Sequence, residues 1–431
     1  MTPSRSAQLA ALDKRHLWHP FTPMREWCAP GETPLILVSG AGAILRDSAG
    51  RQYLDGNSSI WTNIHGHNHP RINEAIRAQL ERAAHTSFLG FTNPPAIELA
   101  EELVKIAAPD VLTRVFYSDD GSTAIEVAIK MALQYFQLAG QPGRARFAAF
   151  RNGYHGDTLG AASLGGISLF QGPFSPRHFP VERVASVADL DALPEPETVA
   201  AVVIEPLIQG AAGMRPWPCG LLAAVRSWCD RNGALLIADE VMTGFGRTGT
   251  MFAFHQEKAV PDFLALAKGL TGGYLPLAAT LTTERIFQAF DGGTFYYGHS
   301  YCGNQLACAA ALASLRIFDE EQVLAHLQPK IRHLAASLAR LRANPRIRET
   351  RQCGFIAGIE LGAPGSAPLD PRERTGAKVC LGARRHGLLT RPILDTIVLM
   401  LPLCATTGQI DEACDALEMS IAECPLFRRL Q

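Results

Sequence analysis

Six short, largely apolar runs punctuate the middle of the chain: Arg114–Tyr117, Arg146–Phe150, Val199–Ile204, Ala234–Ala238, Phe263–Ala267 and Leu277–Leu281. A strand exposed on one face alternates apolar and polar residues, whereas a continuous apolar run fits a strand buried on both. The runs therefore predict a mostly parallel sheet wrapped by helices, an α/β fold. Helical spacing appears between them, with Ile125, Ile129, Ala132 and Phe136 on one face, and from Pro70 onward with Ile72, Ile76, Leu80 and Ala83 on another. Upstream, Leu35–Val38, Ile44–Asp47 and Tyr53–Leu54 are separated by glycine turns, which predicts a small antiparallel meander. Downstream, a long helical stretch over 302–343 leads to strands at 354–361 and 396–400.

At 431 residues the chain exceeds what one core usually supports. We expect an N-terminal arm and meander over 1–60, a large domain over 61–325 and a small α+β domain over 326–431. Repeats and low-complexity tracts are not evident. A formal net charge of −1 gives no reason to expect nucleic acid or an anionic membrane as partner, which leaves small molecules. The ten cysteines include no C-x-x-C pair, and the chain opens on the polar Met1-Thr2-Pro3-Ser4-Arg5. Reduced thiols and a cytoplasmic protein are the expectation. The longest charge-free stretches are broken by polar residues and glycine, so no membrane span is expected.

The chemistry concentrates at the ends of the apolar runs. Lys268 ends one of them and meets Gly269 and Thr271-Gly272-Gly273. A lysine so placed loses hydration, which lowers its pKa and frees its amine to form a Schiff base. Asp239-Glu240 ends the preceding run and delivers a carboxylate to a neighbouring strand end. An amine to hold an aldehyde and a carboxylate to keep a pyridine nitrogen protonated are the two groups that pyridoxal 5'-phosphate requires.

Other strings take meaning only beside that pair. Ser118-Asp119-Asp120-Gly121-Ser122-Thr123 joins a strand to a helix, where free N–H groups, the helix dipole and the Ser122 hydroxyl suit a phosphate; an ordinary N-cap accounts for it equally well. In Arg151-Asn152-Gly153-Tyr154-His155-Gly156-Asp157, Tyr154 could cover a flat ring while His155 and Asp157 hold the loop, or the segment is a polar turn. Glu205 is either a substrate gate or a structural acid paired with an arginine such as Arg247. His65, His67 and His69 share one face of an extended segment, but no acidic partner is near in sequence, which favours structural or cofactor-shell histidines over a metal site. Arg391-Pro392 offers a guanidinium to a carboxylate, or is a surface turn.

Taken together these strings resemble the class III aminotransferases of the fold type I pyridoxal-phosphate superfamily, over nearly the whole chain. His16-Leu17-Trp18-His19-Pro20-Phe21-Thr22-Pro23-Met24, Ser58-Ser59-Ile60-Trp61-Thr62-Asn63-Ile64-His65-Gly66-His67 and Arg151–Asp157 are further similar to the branch that aminates 8-amino-7-oxononanoate in biotin biosynthesis. The resemblance implies Lys268 as the Schiff-base lysine, Asp239 at the pyridine nitrogen, Gly121 and Ser122 at the phosphate and Tyr154 on the ring. It implies a homodimer with shared sites, in which Gly298, His299 and Ser300 reach the neighbouring site. Phe21, Ile60, Trp61, Tyr154, Asp157, Gly298, Lys268 and Arg391 would meet substrate, Arg391 at the keto-acid carboxylate. Members that use S-adenosylmethionine as amino donor carry aromatic residues in place of Ile60 and Val398 and tyrosine in place of Phe21. The departures resemble the branch that uses lysine. The rival readings are another class III ω-aminotransferase for diamines, ornithine or 4-aminobutyrate, and a non-catalytic cofactor-binding regulator.

Overall fold

In a computed structural model, residues 1–425 are described. The centre is a seven-stranded sheet built from β1 (Leu112–Ser118), β2 (Arg146–Phe150), β3 (Val181–Val184), β4 (Val199–Ile204), β5 (Leu235–Asp239), β6 (Phe263–Leu266) and β7 (Ala278–Thr283). Their order across the sheet is β1-β7-β6-β5-β4-β2-β3. Only β7 runs antiparallel to its neighbours, so the other six strands point the same way. All six anticipated runs are strands, and the fully buried β4, β5 and β6 account for their lack of alternation. Strand β3 was not anticipated. It lies at the sheet edge, where Glu182 and Arg183 interrupt the apolar signal.

Helix α1 (Gly121–Leu138) lays Ile125, Ile129, Ala132 and Phe136 on the sheet, all buried, as the spacing predicts. The helix Pro70–Leu80 forms and packs the first half of the anticipated face, Ile72 and Ile76, but not the second. Ile72 packs against Ala310, Ala313 and Ile317, whereas Leu80 is 57 % exposed and Ala83 lies beyond the helix end. Gln79 is buried in place of Leu80, because its amide donates to the Ala83 carbonyl as that end turns. The stretch 302–343 is two helices, Gln305–Glu320 and Val323–Arg342. Gln322 between them takes a left-handed φ of 47°, which a continuous helix does not allow.

Two four-stranded sheets accompany the large one. The meander strands Leu37–Ala41, Ile44–Asp47 and Gln52–Asp55 are joined by Leu388–Leu389, which pairs parallel with Gln52–Asp55. A second sheet runs Ile347–Cys353, Ile356–Leu361, Thr396–Leu399 and Pro392–Ile393. Among the described residues no helix is long and apolar enough to cross a membrane.

Candidate active site

Because six central strands run the same way, their C-terminal ends open on one edge, the place where open α/β sheets bind ligands. β1 delivers Asp119 to Ser122, β2 delivers Tyr154 and His155, β4 delivers Glu205, β5 delivers Asp239 and β6 delivers Lys268. These residues line one cavity of about 420 Å³, closed on another side by Trp61, Thr62 and the segment Gly273 to Leu277.

Lys268 has a left-handed φ of 42°, uncommon outside glycine, and its amine lies 4.9 Å from the centre of the Trp61 ring. Burial lowers its pKa, and the charges of Asp239 and Glu205 oppose that shift only in part. Asp239 is buried and held at both oxygens: Oδ2 lies 2.7 Å from His155 Nδ1, and Oδ1 accepts the Val241 N–H at 3.1 Å. His155 thus serves the carboxylate rather than the geometry of its own loop, and its Nε2 is buried without a partner. Nothing in the sequence pairs two residues 84 positions apart.

At the start of α1, Asp120 accepts the Thr123 N–H in a reciprocal capping box. The N–H groups of Gly121 and Ser122 precede it and have no partner within the helix by geometry. A Cβ on Gly121 would come within 2.6 Å of Val241 Cγ1, so only glycine fits this wall. The Ser122 hydroxyl oxygen accepts the Asp157 N–H at 3.1 Å, leaving its own hydrogen to donate. Tyr154 donates to Asp157 at 2.8 Å, and burial raises its pKa, with the Asp157 carboxylate adding to the shift.

Glu205 does not pair with Arg247. Its oxygens accept the Tyr154 N–H at 3.2 Å and the Gly210 N–H at 2.8 Å, and burial pushes its pKa up to about 7 against the opposing charge of His155. Arg247 instead donates to the main-chain carbonyls of Leu401 and Asn63, both at 2.8 Å. With no carboxylate in contact, burial brings its pKa down to about 9. The three histidines diverge: His65 meets Ser314 at 2.9 Å, His67 meets Asp55 at 2.8 Å and His69 lies 3.5 Å from Glu321. Among the described residues no cluster of three or more His, Cys, Asp or Glu could hold a metal.

Several anticipated residues do not line this cavity in the single chain. Phe21 is 62 % exposed, and its ring meets Phe170 edge-on at 5.6 Å, which in turn meets Tyr154 at 5.8 Å. Phe170, unremarkable in sequence, thereby links the arm to the cavity wall. Ile60 and Arg391 are exposed. Gly298 and Ser300 are exposed and His299 is half-buried, and His299 Nδ1 lies 2.9 Å from Asp119 Oδ2 of its own chain. Val398 is buried in a cluster with Met242, Met400 and Trp61 rather than facing the cavity. The Tyr274 to Leu277 wall carries no motif in the sequence, although it continues the glycine turn after Lys268.

Ser58, Ser59, Ile60 and Trp61 form a turn in which all four residues have positive φ, from 44° to 71°. Each non-glycine residue in that region costs roughly 1–2 kcal/mol. Such strain persists only where surrounding contacts enforce it.

An amine at one end, a braced buried carboxylate across from it and a glycine-opened helix start are the three features that distinguish a pyridoxal-phosphate cradle from a general polar pocket. The class III aminotransferase family model matches residues 28–421. The chain belongs to the class III aminotransferases. These are pyridoxal-phosphate enzymes, and the cavity supplies groups that fit the cofactor's aldehyde, ring nitrogen and phosphate. The chain is 50 % identical to a protein of Nitratidesulfovibrio vulgaris named adenosylmethionine-8-amino-7-oxononanoate aminotransferase, covering 95 % of this chain and 80 % of that one. A Geobacter sulfurreducens protein of the same name is 46 % identical, covering 95 % and 96 %. The solved structure of the Methanocaldococcus jannaschii protein of that name superposes with a TM-score of 0.94 at 42 % identity, over 97 % of this chain and 99 % of that one. An (S)-enantioselective ω-transaminase from Thermomicrobium roseum superposes at 0.92 with 32 % identity, over 97 % and 98 %.

Proposed function

We propose that this aminotransferase converts 8-amino-7-oxononanoate to 7,8-diaminononanoate in biotin biosynthesis, with lysine as the favoured amino donor. The observation that carries the acceptor is the row Phe21, Phe170, Tyr154, which runs from the arm to the cavity wall and offers aromatic surface to an aliphatic chain. The names of the relatives support the same keto acid.

Pyridoxal phosphate, when bound, supplies an aldehyde for the amino group and a protonated ring that withdraws electrons from the reacting carbon. Lys268 Nζ would hold the aldehyde at rest; once released, its lowered pKa suits it to take a proton from the donor's α-carbon and to return one when the keto acid is aminated. Asp239, braced by His155, would face the ring nitrogen, where its buried carboxylate holds the proton. Gly121 and Ser122 would bind the phosphate through backbone N–H and hydroxyl, and Tyr154 would cover the ring. In a homodimer, Gly298, His299 and Ser300 of a second copy would complete the phosphate site. Phe21, Ile60, Trp61, Tyr154 and Asp157 would contact substrate, and Arg391 would bind the keto-acid carboxylate.

The lysine reading rests on the aliphatic Ile60 and Val398 and on Phe21 in place of tyrosine. The relatives' names specify adenosylmethionine, which is the second reading. The deciding experiment for the acceptor supplies purified holoenzyme with 8-amino-7-oxononanoate plus an amino donor, and in separate reactions with 4-aminobutyrate or ornithine plus a 2-keto acid to take up the amine. Efficient turnover of the first supports the proposal; preference for the others assigns the chain to another ω-aminotransferase.

A further inference from the structure

The left-handed turn Ser58–Trp61 carries two serines, an isoleucine and a tryptophan, none of which favours this backbone. Three groups enforce it. Asp55 Oδ1 accepts the Ser59 N–H at 3.0 Å, and Asp55 Oδ2 accepts the Ser59 hydroxyl and faces His67 Nε2, both at 2.8 Å. The Ser58 hydroxyl donates to the Met400 carbonyl at 2.6 Å, and the indole N–H of Trp61 donates to Asn57 Oδ1 at 2.9 Å. Asp55 itself is 2 % exposed. Burial alone would raise its pKa, but the hydrogen bonds from His67 and Ser59 outweigh burial and lower it.

The turn has a geometric result at the cavity. It presents the face of the Trp61 ring to the amine of Lys268, 4.9 Å away, a distance at which an ammonium and an indole attract. A right-handed or extended turn would send this side chain elsewhere, since the direction of Cα–Cβ follows the backbone. Asp55 does not line the cavity. It reaches the reactive amine only through the turn.

We propose that Asp55 is a positioning residue for transamination: it holds Ser58–Trp61 left-handed and thereby fixes the Trp61 indole against Lys268. The inference rests on Lys268 being the reactive amine. His67 seconds Asp55, and its other ring nitrogen lies 3.2 Å from Asn63 Nδ2, so the pair ties the turn to the segment that follows it.

A double-mutant cycle tests the coupling. Asp55→Asn presents an amide N–H₂ where a carboxylate oxygen accepts, so one bond to Ser59 or His67 is lost. We expect kcat/KM to fall by about ten- to a hundredfold, the range of a misplaced catalytic neighbour. Trp61→Ala should fall similarly, and the double variant no further than Trp61→Ala, because Asp55 has nothing left to position. Losses that multiply in the double variant overturn the proposal. Ser59→Ala, which deletes only the hydroxyl bond, gives the same cycle if Asp55→Asn does not fold. A second readout uses the apoprotein: acrylamide quenching of tryptophan emission should increase in Asp55→Asn and show no such increase when Trp61→Phe is already present. Unchanged quenching also overturns the proposal. Lys268→Ala measured alongside separates the premise, since turnover surviving there removes the reading of the amine while the quenching result still reports on Asp55.

Discussion

His155 Nδ1 and Asp239 Oδ2 lie 2.7 Å apart, both buried, at the ends of two strands separated in the sheet by β4. The imidazole orients the carboxylate that the proposed mechanism sets against the ring nitrogen. Replacement by His155→Phe keeps a planar ring of somewhat larger volume and removes the bond. We expect turnover or cofactor affinity to fall about 10- to 100-fold, as for other partners that orient a binding group. Steady-state kinetics with cofactor titration checks this. Wild-type values for both would show that Asp239 needs no brace.

Arg391→Ala should raise KM for the keto acid while leaving cofactor binding intact. The side chain is exposed in the single chain, so the loss belongs with hydrogen bonds to charged groups, roughly 1.5–3 kcal/mol, or about 10- to 150-fold in kcat/KM. A loss confined to the donor half of the reaction would assign the guanidinium to the other substrate.

Lysine is expected to outperform S-adenosylmethionine as donor. Ile60 is aliphatic and Val398 is buried beside Trp61, so neither offers a stacking face to an adenine. Aromatic pairs contribute roughly 0.5–1.5 kcal/mol each beyond burial, so two missing partners correspond to about one to two orders of magnitude in selectivity. Diaminononanoate formation at equal donor concentrations decides it. Faster product formation with S-adenosylmethionine reverses the donor assignment and leaves the acceptor untouched.

Glu205 sets a pH dependence of known sign. Its pKa is raised from the ordinary 4.5 to about 7 by burial, so between those values the folded protein keeps a proton that the unfolded chain has lost. Stability contributed by this group therefore falls as pH rises from about 4.5 to about 7. Glu240, buried on the Ala253 and Phe254 N–H groups and likewise raised to about 7, acts in the same direction. The Glu205→Gln variant should lose part of that slope in Tm against pH. An identical slope in the variant would show that Glu205 does not titrate there.

Much of the sheet was legible because its strands are buried on both faces and therefore read as unbroken apolar runs. Lys268 and Asp239 were legible as neighbours for a related reason: residues that end parallel strands must converge on one edge, even before the strand order is known; Gly121, Ser122 and Tyr154 joined them only through the family resemblance. What escaped depends on that order or on loop paths. The His155 to Asp239 contact needs β2 and β5 to flank β4. Phe170 needs the loop after β2 to return across the cavity mouth. The left-handed turn at Ser58–Trp61 has no glycine to announce it, because side-chain hydrogen bonds rather than local preference enforce it. The pairing of Glu205 with Arg247, one of two readings left open by the sequence, does not form because main-chain groups partner both side chains.

The central claim is that Lys268 holds pyridoxal phosphate, and covalent trapping tests it most directly. Holoenzyme reduced with borohydride, digested and mapped by mass spectrometry should carry the reduced cofactor on the peptide containing Lys268, and Lys268→Ala should carry none while remaining folded. Label on another lysine, or wild-type turnover by Lys268→Ala without added amine, would contradict the account.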